Sequence, residues 1–168
     1  EGDEALWGAR RRLVFEEFFF FILMLKRLRK SREAREDGCA LAPAWMTQKV
    51  LSSLDFDLTG AQKRVWEEIS RELSSRKIMA RLIQGDVGSG KTIVAFLALI
   101  QCAASGMQGA LMVPTEVLAR QHYDAFTKLC LQAHLTIGTV LLTGSMKAGE
   151  RKAAFESVRT GEAKVIIG

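Results

Sequence analysis

The chain has 168 residues, 48% of them hydrophobic and 26% charged, enough apolar material for one domain with a core, or one domain and an appendage. Twenty-four Lys and Arg against 19 Asp and Glu leave a net charge of +5, which permits an anionic partner without requiring one. Cys39, Cys102 and Cys130 are odd in number, far apart and in no metal-ligand spacing, so we expect buried reduced thiols in a cytosolic protein and no disulfide framework.

Residues 4–36 lack Pro, contain Gly only at Gly8 and are rich in Arg, Glu, Leu and Phe, a pattern that predicts one long helix. Within it Phe18 to Leu25 is an unbroken apolar run of eight residues. A membrane span needs about 20 apolar residues and a signal peptide needs a small-residue cleavage site, so the run predicts a helix buried on much of its circumference. Lys26, Arg27, Arg29, Lys30, Arg32 and Arg35 follow it. They suit either a solvated face near a helix C-terminus or a contact with a phosphate backbone, and both readings stay open. Asp37 to Trp45 reads as a linker, and we expect a helical segment over 1–48 followed by a second unit over 49–168.

From Leu58 the pattern changes to helices alternating with short apolar strands. Thr59 is the expected N-cap of an amphipathic helix reaching Leu73, and Ala80–Gln84 the expected strand after it. A largely apolar helix follows over Lys91–Ala104, ended by Ser105-Gly106; then a strand over Gly109–Val113 and a helix over Glu116–His134. A strand over Thr136–Gly144, a helix around Gly149–Arg159 and a strand over Lys164–Gly168 complete the series. Strands separated by helices imply crossover connections and a mostly parallel sheet, that is, an α/β fold.

Between the first expected strand and its helix lies Gly85-Asp86-Val87-Gly88-Ser89-Gly90-Lys91-Thr92, which fits G-x-x-x-x-G-K-[ST] in full. Gly85, Gly88 and Gly90 allow turns closed to residues with a Cβ, so that successive N–H groups, including those of Asp86, Val87 and Ser89, face phosphate oxygens. Lys91 places an ammonium at the β- and γ-phosphates of ATP, and the Thr92 hydroxyl is the candidate ligand for Mg²⁺. A loop that merely joined strand to helix would not need Lys-Thr at that spacing. Lys91 is therefore the candidate catalytic residue.

Three further segments narrow the reaction. Phe56 to Ile69 lies upstream of the loop at the distance where superfamily 2 helicases carry their Q motif. Pro114-Thr115-Glu116, inside "ALMVPTEVLARQHYDAF", resembles helicase motif Ia, and "LLTGS" and "VIIG" extend the likeness. Over about residues 56–168 the set is similar to the RecG family of bacterial replication-fork helicases, and the N-terminal helix is similar to that family's linker between wedge domain and motor. The resemblance implies a RecA-like P-loop motor in which Phe56 stacks on adenine, Gln62 bonds its edge, and Pro114, Thr115, Glu116, Gly144 and Ser145 contact nucleic acid. It also implies forked or branched duplex DNA, the remaining helicase and wedge domains as partners, a cytoplasmic setting and no membrane. Asp55 stands where the family usually has Pro, and Ile78 likewise; both bear on loop geometry.

No DExD/H box occurs in the sequence, so the expectation is the beginning of a motor, with an open sheet edge and negligible turnover by itself. His122 and His134, on an expected helix, read as surface or packing residues. The rival readings are another superfamily 2 motor (transcription-coupled or RNA-directed), a non-hydrolysing nucleotide-gated module, and a small-molecule kinase. The last fits poorly, because about 80 residues precede the loop.

Overall fold

The computed structural model describes residues 2–33, 38–42 and 45–168. Helix α1 (Gly2–Glu33) is followed by α2 (Trp45–Ser53), α3 (Gly60–Leu73) and α4 (Lys91–Ala104). Then β1 (Gly109–Leu111), α5 (Glu116–Gln132), β2 (Thr139–Leu141), α6 (Ala148–Arg159) and β3 (Val165–Ile167) alternate.

The three strands form one parallel sheet in the order β1-β3-β2, with Gly109 and Thr139 both in register with Val165. Parallel neighbours need a long crossover, and α5 and α6 supply the two helical connections. β3 is central, so Val165 and Ile167 are fully buried. Leu97 and Ile100 of α4 join them in the core with Phe126 of α5, whose ring meets Phe96 edge-on at 5.2 Å.

Local signals account for the helices around this core. Thr59 and Gln62 make a reciprocal capping box at the start of α3, which buries Trp66 and Ile69 on one face. α4 is apolar on most sides because α2, α3 and β1 all pack on it. It also buries Gln101, whose amide accepts from Ser70 Oγ at 3.0 Å and donates to Leu41 O and Ser74 Oγ at 3.3 Å. Leu41 N–H donates to Leu73 O, so the segment after α1 is strapped to α3 and α4 together.

Several expectations are corrected. Residues 80–84 run extended but belong to no strand, and Leu82 is 90% exposed. A strand exists only with a ladder partner, and none pairs with this segment among the described residues. α2 begins at the last residue of the expected linker, Trp45, in a stretch where no element was expected; burial of Thr47 and Val50 against α4 and α5 holds it. The expected strands 109–113 and 136–144 are each three residues long.

The apolar run Phe18–Leu25 is helical as expected, yet every residue of it is exposed, from 43% to 64%. A helix hides such a surface only against neighbours, and no other element of the described chain covers it. No helix among the described residues is long and apolar enough to cross a membrane. Lys26, Arg27 and Lys30 are exposed, while the side chains of Arg29 and Arg32 and all of Arg35 lie outside the described residues, as do Pro43 and Ala44 in the linker.

Of the thiols expected to be buried, only Cys130 is; Cys102 is half-buried and Cys39 exposed, and all three are free. His134 lies past the end of α5 with φ of 50°, and His122 packs edge-on against Phe96.

Candidate nucleotide-binding loop and nucleic-acid edge

The Gly85–Gly90 loop is exposed and closes on its own lysine. Lys91 Nζ donates to Gly85 O at 2.8 Å and Asp86 O at 2.7 Å, and Ser89 N–H donates to Asp86 O at 3.2 Å. Gly88 and Gly90 have φ of 82° and 75°, a left-handed backbone that disfavours any Cβ. Gly90 caps α4 with no side-chain bond, so no side chain occupies the N–H groups that open that helix, and Ile93 N–H donates back to Gly90 O at 3.2 Å. Thr92 lies in that same turn and is exposed.

Gln62 joins this loop to the segment far upstream. Its Oε1 accepts Thr59 N–H at 2.8 Å, and its Nε2 donates to Ser89 O at 2.9 Å. A Cβ added at Gly90 would run into the same Nε2. The Q-like segment and the Gly-rich loop are therefore one unit, although 27 residues separate Gln62 from Ser89. Phe56, three residues before Thr59, is 55% exposed and open to a planar ligand.

At the C-terminal ends of β1 and β2, where open α/β sheets present ligands, the second set of candidates comes together. Thr115 Oγ1 caps α5 by accepting Leu118 N–H at 3.3 Å. The Glu116 carboxylate accepts Ser145 N–H at 2.9 Å and the Ser145 hydroxyl. These donors, led by the Ser145 hydroxyl, hold Glu116 below the usual carboxylate range, and Arg120 nearby adds to the effect.

From the other side Arg151 of α6 donates to Gly144 O at 2.8 Å and Thr143 O at 3.3 Å. Sequence reasoning missed Arg151, since nothing in its spacing marks a residue that pins a loop. Pro114, Thr115, Glu116, Gly144 and Ser145 thus form one cluster, in which Ser145 spends both its donors on Glu116. Among the described residues no group of three or more His, Cys, Asp or Glu could hold a metal by itself.

The DEAD/DEAH box helicase family profile matches residues 59–168, about two thirds of the chain. The chain belongs to the DEAD/DEAH box helicase family. Two curated relatives of this chain are the ATP-dependent DNA helicases RecG of Streptococcus pneumoniae and Bacillus subtilis. The first is 45% identical over 95% of this chain and 23% of the relative; the second is 43% identical over 100% and 24%. A solved structure of RecG bound to a three-way DNA junction superposes with a TM-score of 0.84 and 40% identity, over 95% of this chain and 22% of that one. The helicase chain described here therefore spans about a quarter of the length of the relatives it matches, and its short parallel sheet is an incomplete RecA-like α/β fold.

Proposed function

We propose that this chain is the ATP-binding part of a DNA translocase that remodels branched DNA, such as stalled forks and Holliday junctions, in recombination and repair. One observation carries the reading: the Gly-rich loop is locked to Gln62 in a chain 40–45% identical, over nearly its whole length, to RecG helicases. The helical linker expected over 1–48 then ends before α2, because α2 packs on α4 and α5 and so belongs with the start of the first motor domain. The rest of the motor and a wedge domain lie elsewhere in the parent, which works in the bacterial cytoplasm.

The loop suits a nucleoside triphosphate. Positive-φ glycines and an uncapped helix N-terminus make a cradle of N–H groups, and Lys91 exchanges its bonds to Gly85 O and Asp86 O for bonds to phosphate oxygens. That exchange opens the loop as the nucleotide enters. Phe56 offers a face to the adenine ring, while Gln62 retains one unused N–H and one lone pair for its edge after holding Thr59 and Ser89. Thr92 would give a bound Mg²⁺ one neutral oxygen, and the ion would neutralise phosphate charge. Pro114, Thr115 and the 144–145 loop face the DNA backbone.

The test is ATP hydrolysis by the full-length protein on forked DNA, linear duplex and structured RNA at matched low salt. Stimulation greatest with forks supports the reading, and Lys91→Ala should abolish it. Stimulation by RNA alone, or normal hydrolysis by Lys91→Ala, refutes it.

A further inference from the structure

The 144–146 loop and α6 enclose a groove of about 490 Å³ that no residue expected from sequence enters beyond Gly144. Its walls are Gly144 and Met146 on one side and Ala148, Arg151, Lys152 and Phe155 on the other, with two cations and no carboxylate among them. Phe155 is 56% exposed and stands three and four residues from Lys152 and Arg151 on the same helix. Arg151 is held in place by its bonds to Thr143 O and Gly144 O, and Lys152 is exposed. At the root of the loop the buried Thr143 hydroxyl has no protein partner.

The bonding of Glu116 sharpens the choice of ligand. Ser145 spends its N–H and its hydroxyl on that carboxylate, so a phosphate approaching this loop finds its cations one step further along, at Arg151 and Lys152. Cations paired with an open aromatic face form the recognition surface for an unpaired nucleotide: phosphate to the charges, base to the ring. A duplex cannot use the ring, because its base faces are stacked inside. The groove's size suits a single nucleotide unit and its neighbouring phosphate.

We propose that this groove is a subsite for a single-stranded nucleic-acid segment, with phosphate on Lys152 and Arg151 and one base against Phe155. The inference rests on the branched-DNA reading above and deepens it: the subsite takes the unpaired strand where a branch opens.

The experiment uses the full-length protein and fluorescence anisotropy over a salt series, with a fork carrying a single-stranded arm and a fully paired duplex of equal length. Phe155→Ala should weaken the fork about ten-fold and the duplex less than two-fold, whereas Phe155→Trp keeps the fork affinity. Lys152→Ala should lower the log–log salt slope for the arm by about 0.7, the loss of one single-strand phosphate contact. Thermal midpoints accompany each variant.

Equal losses on both DNAs, or unchanged affinity and slope, overturn the subsite. So does a fall in thermal midpoint on Phe155→Ala with DNA binding intact, since that marks Phe155 as the seat of another domain. If the unaltered protein binds neither DNA, the branched-DNA reading fails first; binding by the unaltered protein with indifferent variants sinks the subsite alone.

Discussion

Gly90→Ala is the sharpest probe of the nucleotide loop, because two separate costs meet at that residue. Its φ of 75° lies in the left-handed region, where a Cβ costs about 1–2 kcal/mol. The new Cβ would also collide with Gln62 Nε2, which must retreat and give up its 2.9 Å bond to Ser89 O, worth about 1 kcal/mol. Without nucleotide the altered loop relaxes and escapes most of this cost, so the penalty falls on binding, where the cradle must re-form. The sum of about 2–3 kcal/mol corresponds to an ATP affinity about 30- to 150-fold weaker.

A double-mutant cycle separates the two costs. Gln62→Ala alone loses the same hydrogen bond and should weaken ATP binding up to about ten-fold. Added to Gly90→Ala it should cost almost nothing more, since the amide has already been displaced; the coupling is then about 1 kcal/mol. Titration of the full-length protein with a fluorescent ATP analogue reads all four corners. Gly90→Ala within two-fold of the unaltered protein, or penalties that simply add, would refute the reasoning.

Gln62→Ala should also lower the preference for ATP over GTP, measured as the ratio of their dissociation constants; an unchanged ratio removes the adenine role. Phe126→Ala, at a fully buried site against Phe96, should destabilise the fold by about 3–5 kcal/mol in urea unfolding, and a loss below about 1 kcal/mol would mean the core is elsewhere. Glu116 has a folded-state pKa below its ordinary value of 4.5. Its hold on the 144–145 loop is therefore complete above that value and lost as pH falls through the folded pKa. The Ser145 amide resonance should shift over that acidic range and stay put in Glu116→Gln; a Ser145 amide indifferent to acid would show that the latch does not form.

Legibility in the sequence follows the range over which each signal acts. Thr59 and Gln62 cap α3 across a single turn, Thr115 caps α5 likewise, and Gly106 with φ of 80° marks the stop after α4. Those helices were readable because their determinants lie inside them. The Gly-rich loop was readable for the same reason, since its glycines, lysine and threonine are contiguous. Residues 80–84 carry the apolar pattern of a strand, but a strand is a property of two segments, and pattern cannot supply the second. α2 failed in the opposite direction: no element was expected there, and it is held by burial of Val50, which depends on α4 and α5.

The same division runs through the site. Gln62 against Ser89, Glu116 against Ser145 and Arg151 against Gly144 are pairings that depend on how the loops lie at the ends of the helices and strands. The first two span 27 and 29 residues, beyond the reach of any local spacing rule. These three contacts also turn separate motifs into working surfaces. On the reading proposed above, motif residues supply the groups that meet phosphate, and contacts between motifs decide which of those groups are free to do so. Arg151 and Lys152 illustrate the consequence: Glu116 occupies the Ser145 N–H and hydroxyl, and in the proposed subsite the adjacent cations take the part of binding that the motif alone had suggested for Ser145.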